Sequence, residues 1–445
     1  MDVFGNISQP VELGASIFVS VNHNLVNAVN AFNLSIRDDD DDDGASQVLG
    51  IWNGKDFVYT QELGGSRWNG WWNTAKLFYR YGFLAPYRTQ NLMRDTVGRF
   101  LKMYDAPIFP FQSLTDAVAA VGLDSITGVS GTEHLEKNGV SGLFSEELIQ
   151  ASTRVNYAQD LANIHGVEVM VCMATDGAMS VNGGNWQMFA EMIKASGAYL
   201  RLETEVREVR RAPEGGYIVV AAGIQQDGNI GVAEYEDTFD VVIIAAPFHH
   251  TGITFSPLLE DVPSFPDFVN LHVTLFSTPN ALSSSYFNLP RSAKVPDMVL
   301  TTLAADSPKN NNGLGPHSIF SISRVRTAIN PETNAREQVY KIFSSAPVNL
   351  TQLETFISGS SSSYQEVITW HHHHLWQSYP YLPPRTVFDE IRLAGDLSTS
   401  PGRGIWYTGS IESFISTMET SSLSGMNVAK LIVDELVQSK LLETV

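Results

Sequence analysis

The chain has 445 residues, enough for two or three domains around a sizeable hydrophobic core. Hydrophobic residues make up 43% of the chain and charged residues only 17%, a composition that excludes an intrinsically disordered protein. Acidic residues outnumber basic residues by 48 to 28, and the net charge of −20 argues against nucleic-acid binding and makes the protein a poor candidate for electrostatic docking on anionic lipid.

The N-terminal part of the chain alternates short structured segments with loops. Residues 9–16 predict a short strand that enters a glycine turn, and apolar residues at helical spacing predict a helix over 24–36. The acidic run at 38–43 is typical of a solvated loop, because it lacks the oxygen-ligand spacing of a calcium site. Residues 71–104 predict helical structure rich in aromatic side chains.

From Gly183 onward the predicted elements are more regular. A helix is expected over 186–195, a flexible Ser-rich loop at 358–363 and a long helix over 412–442. Short strands are expected near residues 200–209, 216–222, 232–236 and 240–246, the last of them buried and closed by Pro247.

Targeting signals and covalent features are few in this sequence. No apolar run approaches the roughly 20 residues that a transmembrane helix needs. Cys172 is the only cysteine, so an internal disulfide is excluded, and no signal peptide is recognisable behind Met1. Asn6, Asn33 and Asn349 lie in Asn-x-Ser/Thr sequons and are candidate glycosylation sites.

The first two pieces of a candidate flavin site are a glycine turn and a strand. A dinucleotide fingerprint of the form G-x-G-x-x-G is absent from the sequence. Gly14, Ala15 and Ser16 nevertheless form a tight turn where a flat ring could meet the backbone, and the backbone of Val206 could pair with an adenine edge. Taken singly, such a turn is most often only a turn, and a strand valine is most often core.

The third piece lies near the C-terminus. Gly409 and Ser410 follow a short strand, and a helix with Met418 and Glu419 comes next. The N–H groups and the positive end of that helix are suited to stabilising negative charge on a reduced flavin. The order of the three pieces along the chain strengthens a prediction that each supports only weakly.

Longer stretches carry a resemblance to a known family. They lie at residues 49–54, 76–83, 154–159, 181–185, 340–344, 376–380, 383–384, 409–412 and 416–419, and those from Lys76 and Arg154 are the most specific. In content and order they resemble the prenylcysteine oxidase (prenylcysteine lyase) family, a branch of the amine-oxidase-like FAD flavoproteins. The resemblance extends over nearly the whole chain.

The resemblance implies an α/β fold with two interleaved regions. An FAD-binding Rossmann-like region is expected from residues 1–48, 180–255 and 395–445, and a mixed α+β substrate region from 49–179 and 256–394. Family members begin with a signal peptide and a first βαβ unit that carries G-x-G-x-x-G. Because Met1 falls after that unit, we expect the first βαβ unit to be absent and the printed chain to bind FAD poorly.

The resemblance also implies an activity. Family members oxidise the thioether of a farnesylated or geranylgeranylated cysteine with FAD and oxygen, and release a prenyl aldehyde, cysteine and hydrogen peroxide. The implied compartment is the lysosome or vacuole lumen, or the secretory pathway. Two alternatives remain open: a related flavin oxidase acting on another apolar substrate or an amine, and a truncated, non-catalytic remnant.

Candidate substrate residues lie in the family-like segments. Trp71 and Phe78 belong to an aromatic cluster that could line a prenyl tunnel, although ordinary core or a membrane-facing patch is the more common interpretation of such a cluster. Arg154, Asn156 and Tyr157 could orient the amino-acid end of the substrate or a water, or form a structural hydrogen-bond network. No catalytic residue is identified.

A run of four histidines invites a metal hypothesis, which the spacing disfavours. Side chains at His371 to His374 alternate between the two faces of a strand, so at most two of them point the same way. A closed site needs three or four ligands, so we predict no metal.

Overall fold

The computed structural model describes residues 1–5, 10–37, 47–63, 67–175, 177–224, 230–259, 262–264, 267–303, 318–357, 368–395 and 403–443; at 67–72, 230–233 and 439–443 it describes the backbone alone. Asn6, the acidic run at 38–43 and the Ser-rich loop at 358–363 lie outside these residues. Strands and helices are interspersed along the whole chain, which confirms the α/β class.

Seven strands form the largest sheet, in the order β12-β8-β11-β10-β9-β1-β2. Neighbouring strands run antiparallel except β1 and β9, which are parallel. Nearly all of β8 is buried, as expected of a strand covered on both faces. The strands are β1 (Gln47–Trp52), β2 (Phe57–Leu63), β8 (Leu271–Thr278), β9 (Met298–Thr301), β10 (Ile319–Ile329), β11 (Arg336–Ser344) and β12 (Trp370–Trp376).

Two smaller sheets pack against each other through apolar side chains. One has the order β13-β14-β6, with β14 and β6 parallel, and the other has the order β5-β4-β3-β7. Val209, Ile244 and Tyr407 are buried in the core between them. The strands are β3 (Thr204–Arg211), β4 (Tyr217–Ile224), β5 (Ile230–Phe239), β6 (Val241–Ile244), β7 (Thr254–Ser256), β13 (Arg392–Ala394) and β14 (Gly404–Tyr407). Their positions confirm the predicted strands between 200 and 246.

Helices cover the sheets and contribute two of the larger cores. α7 packs on strands β9 and β10, α8 packs on α3 and α6, and α1 lies beside α11. The helices are α1 (His23–Ala31), α2 (Arg67–Tyr81), α3 (Leu84–Phe100), α4 (Leu114–Ala120), α5 (Asp124–Thr127), α6 (Gly131–Lys137), α7 (Gln150–Tyr157), α8 (Gly166–Cys172), α9 (Trp186–Ser196), α10 (Leu350–Ile357) and α11 (Met418–Glu443), with a π-helical turn at Phe144–Ile149.

Three predicted helices differ from the structure at their ends. α1 stops at Ala31 rather than at residue 36, because Asn33 adopts a positive φ of 53° and ends the helix. The aromatic-rich segment is two helices, since Gly82 breaks it with a φ of 72°. α11 begins at Met418 rather than near residue 412. Just before this start, the Thr417 hydroxyl accepts a hydrogen bond from the N–H of Thr420. The helix predicted over 186–195 is confirmed by α9.

The predicted N-terminal strand was wrong over the residues that can be compared. Within the described residues 10–16, only Pro10 makes a sheet-like contact, an isolated bridge to Asp2. Val11 exchanges two backbone hydrogen bonds with Met1. Beyond it, polar groups of Glu12, Ala15 and Ser16 bond to side chains from distant parts of the chain rather than to a neighbouring strand.

The predicted division into an FAD-binding and a substrate region stays a prediction. No helix within the described residues is both long and apolar enough to cross a membrane. Of the sequons that the structure describes, Asn33 and Asn349 are both exposed.

Candidate active site

The turn at Gly14 is held against the seven-stranded sheet. A side chain at Gly14 would place its Cβ 3.1 Å from the indole nitrogen of Trp376, a tight contact, so glycine lets the backbone approach this ring without a shift of the indole. The Lys341 ammonium, on β11, donates to the Glu12 carbonyl at 3.2 Å and to Ser16 Oγ at 3.1 Å. Ala15, at the tip, is exposed with a φ of 33°. The turn is therefore held by Lys341 on the side of the sheet and exposed at its tip, Ala15.

Asn185 holds the Gly14 turn through both its backbone and its side chain. Its backbone N–H donates to the Glu12 carboxylate at 2.7 Å, and its side-chain amide donates to the Ala15 carbonyl at 2.9 Å. Its amide oxygen accepts from the Val181 N–H at 2.9 Å, so both polar ends of the side chain are engaged. Asn185 is buried and immediately precedes α9. The start of this helix thereby fixes the shape of the turn.

Lys341 is an electrostatically unusual cation. Burial lowers the pKa of its ammonium to about 8, while the nearby Glu12 carboxylate acts in the opposite direction. A charge in this position also faces the ring of Phe343 at 5.1 Å. Lys341 thus brings positive potential to the base of the Gly14 turn, where a flat anionic ring would benefit from it.

An aromatic wall joins the turn to the segment before α11. The rings of Tyr157 and Tyr379 meet edge to face at 5.2 Å, and Tyr379 packs in the same cluster as Trp376. The Tyr157 hydroxyl donates to the Ser416 carbonyl at 3.0 Å, two residues before Met418. The Gly14 turn and the start of α11 therefore border one aromatic-lined region.

A buried acid, Glu168, lies next to Tyr157 of this aromatic wall. Glu168, on α8, is fully buried, and within the described part of the chain neither carboxyl oxygen has a hydrogen-bond partner. Burial raises the pKa of Glu168 to about 8, although the nearby Tyr157 hydroxyl and Ser416 N–H favour the charged form. Burial lowers the pKa of His165 to about 3, and its Nδ1 accepts from the Glu168 N–H. Both side chains are therefore neutral near pH 7.

Gly409 and Ser410 lie in a 3₁₀ turn at the end of β14. A Cβ at Gly409 would lie 2.2 Å from the Tyr407 hydroxyl, so the ring of Tyr407 packs directly on the glycine. Ser410 is buried, and its carbonyl accepts from the Ser413 hydroxyl at 3.1 Å. Val206, on β3, packs in the cluster that contains Tyr407. The strand and the turn predicted to meet the cofactor thus share one core.

Met418 and Glu419 start α11, but the Glu419 side chain is already engaged. Its carboxylate accepts from the N–H groups of Asn24 and Leu25, at 2.9 and 3.1 Å, and from the Tyr104 hydroxyl at 2.6 Å. Only the backbone of this residue is available to a ligand. The first N–H groups of α11 have no intrahelical acceptors, which keeps the predicted anion-stabilising role open to Met418 and Glu419.

Arg154 and Asn156 make structural contacts. Arg154 is fully buried, forms an ion pair with Asp160, donates to Thr301 Oγ1 at 3.3 Å and lies over the ring of Phe320. The side-chain amide of Asn156 donates to the Ser152 carbonyl at 3.0 Å within α7. These contacts favour the structural-network interpretation of the two residues, and of the predicted trio only Tyr157 faces the aromatic wall.

The two aromatic candidates of α2 do not join this wall among the described contacts. The side chain of Trp71 lies outside the described residues. Phe78 is 37% exposed and contacts Phe83 at the molecular surface. Its position corresponds to the interpretation of this cluster as a surface patch rather than to a tunnel wall.

Several residues of the site were not predicted from the sequence. Lys341 has a weak sequence signal, since it is a cation in the interior of the largely buried strand β11. Asn185 looks like an ordinary residue before a helix and Glu168 like an ordinary helix residue, and only their burial distinguishes them. The four histidines alternate between faces as predicted, and within the described residues no three His, Cys, Asp or Glu side chains form a metal-binding group.

Sequence comparisons match the chain to one family. The profile of the family described as prenylcysteine lyase matches residues 65–443. Farnesylcysteine lyase of Arabidopsis thaliana is 28% identical over 97% of this chain and 79% of its own length. Prenylcysteine oxidase 1 of Bos taurus is also 28% identical, over 95% of this chain and 78% of its own length.

Comparison with solved structures adds the fold. Cyclohexylamine oxidase from Brevibacterium oxydans superimposes with a TM-score of 0.50 at 12% identity, over 96% of this chain and 88% of its own. A variant of putrescine oxidase gives 0.51 at 11% identity, over 95% and 88%. At these identities the likeness concerns the fold alone, and it extends over nearly the whole of each chain.

Proposed function

Because this chain belongs to the prenylcysteine lyase family, we propose that it is an FAD-dependent thioether oxidase that cleaves prenylcysteine. The observation that carries the proposal is the family match over residues 65–443. The family-like segments around Asn185, Lys341, Trp376, Ser416 and Tyr157 also converge on the aromatic-lined region next to the Gly14 turn. The fold shared with amine oxidases is compatible with flavin chemistry.

The residues present fit the ring end of a flavin. The Gly14 turn lacks the Cβ that would fill the space beside Trp376, and its tip at Ala15 is open. Lys341 beneath it and the first turn of α11 each offer positive potential to an anionic ring. We further propose that the backbone of Val206 holds the adenine end. The bound cofactor would supply the acceptor for a hydride.

The reaction assigned to the site balances with water and oxygen as the only co-reactants. The carbon next to sulfur loses a hydride and gains a water oxygen, and the C–S bond of the hemithioacetal then breaks to give aldehyde and thiol. Oxygen accepts the two electrons and leaves as hydrogen peroxide. The part that this chain plays is to bind and orient: Tyr157, Tyr379 and Trp376 offer apolar faces to the prenyl chain and exclude water from it.

The test is a product assay. The purified chain is incubated with added FAD and farnesylcysteine, and farnesal and hydrogen peroxide are measured. Equal amounts of both products support the proposal, and Trp376→Ala is expected to lower their rate. Peroxide released only with cyclohexylamine or putrescine would favour an amine oxidase instead. A chain that retains FAD but turns over none of these compounds would support a non-catalytic protein.

We also propose that the protein resides in the lysosome or vacuole lumen, or elsewhere in the secretory pathway. The exposed sequons at Asn33 and Asn349 are accessible to glycosylation there. Asn349 in addition starts α10, where its Oδ1 accepts from the Gln352 N–H. Loss of mass on glycosidase treatment of the protein from its native cells would support this localisation, and unmodified protein would contradict it.

A further inference from the structure

The outer face of α2 and α3 carries a group of exposed apolar side chains, here named the aromatic patch. Its members are Phe78, Tyr79, Phe83, Leu84 and Tyr87, which are 37%, 95%, 58%, 60% and 52% exposed. Phe78 and Phe83 are 5.3 Å apart, and Phe83 stacks on Tyr87 at 5.6 Å. Large exposed apolar groups that touch one another mark an interaction surface rather than scattered exposure.

The segment that bears the aromatic patch has the opposite charge to the rest of the protein. Residues 67–104 contain seven Lys and Arg and one Asp, a formal charge of +6, whereas the remainder of the chain carries −26. Arg88 and Arg94 are exposed on the same helix as Tyr87. Aromatic and basic side chains on one face are the composition of a helix that lies in the interface of an anionic membrane.

The inner face of the two helices is already occupied by the protein. Leu77, Tyr81 and Met93 pack on the cluster that contains Tyr157 and the thiol of Cys172. On the next turn Arg80 and Tyr81 both donate to the buried Glu147 carboxylate, at 2.6 and 2.9 Å. The aromatic patch is therefore the outer surface of a fixed layer whose inner surface borders the candidate active site.

We propose that the aromatic patch docks the protein on an anionic membrane surface. A second copy of the chain fits less well, since pairing like with like would bring two segments of +6 together. The net charge of −20 does not oppose docking, because interactions between exposed charges decay over about 8 Å at physiological salt and the basic segment lies nearest the lipid. The net charge of the whole chain predicts poor docking on anionic lipid, whereas the local charge of residues 67–104 favours it.

This inference goes beyond the proposed reaction and is independent of it. The protein would lie on the membrane without crossing it, in keeping with the described helices, none of which can span a bilayer. Docking would bring the candidate active site to within one helical layer of the lipid, where long-chain apolar compounds concentrate.

The test is flotation with vesicles, which needs no activity. Vesicles of phosphatidylcholine are compared with vesicles of equal parts phosphatidylcholine and phosphatidylserine. We expect the protein to bind the mixed vesicles at least about tenfold more strongly and to be released by high salt. Arg94→Glu is expected to weaken that binding by roughly tenfold, since each basic residue near the surface contributes a factor of about five.

Two further variants separate the aromatic patch from general surface effects. Tyr79→Glu is expected to weaken binding by at least about tenfold, and because Tyr79 is 95% exposed the fold should be unaffected. Tyr199→Glu is the control, since Tyr199 is 84% exposed on another part of the surface. Equal binding of wild type and Tyr79→Glu would overturn the proposal. So would a dimer in solution that Tyr79→Glu dissociates without changing vesicle binding, which would assign the surface to a second copy.

Discussion

Glu168 combines complete burial with a carboxyl group to which no described group donates a well-aligned hydrogen bond. An ionised carboxylate in such a place would cost far more than a neutral one, so the side chain keeps its proton to about pH 8. As a neutral acid beside Tyr157, it leaves the aromatic wall free of negative charge. That property favours the binding of an apolar chain next to it.

The protonation of Glu168 makes stability depend on pH. Between its ordinary pKa of 4.5 and its value of about 8, the folded protein holds a proton that the unfolded chain releases, so stability falls as pH rises. Glu168→Gln removes this dependence. We expect its stability relative to wild type to improve by up to about 4 kcal/mol between about pH 5 and pH 8, as measured by urea unfolding.

The control for this experiment is Glu136→Gln, which changes an exposed carboxylate on the neighbouring helix α6. Its stability should lie within about 0.5 kcal/mol of that of wild type, as expected of a change at an exposed surface position. A Glu168→Gln curve parallel to that of wild type would mean that Glu168 is ionised in the folded protein.

At the scale of elements, α1 owes its start to a residue from the other end of the chain. Asn22, which precedes the helix, makes no side-chain cap. The Glu419 carboxylate instead accepts from the first N–H groups of α1, at Asn24 and Leu25. A negative charge at a helix N-terminus interacts favourably with the helix dipole as well as with the two donors.

Glu419→Gln keeps the shape of this contact and removes its charge. We expect a loss of about 1–3 kcal/mol in the free energy of unfolding, because charge-assisted hydrogen bonds from two backbone donors and Tyr104 are weakened. The amides of Asn24 and Leu25 should exchange with deuterium faster. Asp434→Asn, on the same helix but half-exposed, is the control and should cost no more than about 1 kcal/mol. Equal effects of both variants would argue against capping.

The strands and helices with strong periodicity were predictable, and the segments held by distant side chains were not. Strands β3 to β6 follow from local alternation and turn residues, so the sequence located them to within a few residues. Residues 10–16 read locally as a strand, but their donors and acceptors are used by Asn185 and Lys341. Such long-range partners leave no trace in a local pattern.

At the scale of the whole molecule, the buried guanidinium of Arg154 joins the helical layer to the seven-stranded sheet. Arg154 on α7 pairs with Asp160 and bonds to Thr301 on β9. Breaking a fully buried pair on one side leaves a buried charge. We therefore expect Arg154→Met to cost about 3–5 kcal/mol in urea unfolding, and the double variant Arg154→Met, Asp160→Asn to cost clearly less than the two single changes added together.

An exposed ion pair, Arg207 with Glu234, is the control for this double-mutant cycle. Arg207 on β3 and Glu234 on β5 are 2.6 Å apart across the intervening strand β4 and are nearly half exposed, so Arg207→Met should cost less than about 1 kcal/mol. Additive effects at Arg154 and Asp160 would mean that the two residues contribute separately.

The candidate site was located in part by sequence. The resemblance identified the segments that meet there, and Gly14, Tyr157 and the start of α11 border one region. The roles of single side chains did not follow, because a charged residue such as Arg154 or Glu419 gives the same sequence pattern whether its partner is a ligand or the protein. Whether they bind a ligand or the protein itself is decided by packing, which depends on the whole fold.

The clamp around the Gly14 turn also has a consequence for how the protein folds. Ala15 is bound by Asn185 and Ser16 by Lys341, partners 170 and 325 residues away along the chain. Contacts so remote in sequence form slowly, since a long loop must close before they gain anything. The ligand-facing turn should therefore mature late, after the sheets it rests on. A chain emerging from the ribosome would carry an incomplete Gly14 turn until β11 had been synthesised and paired.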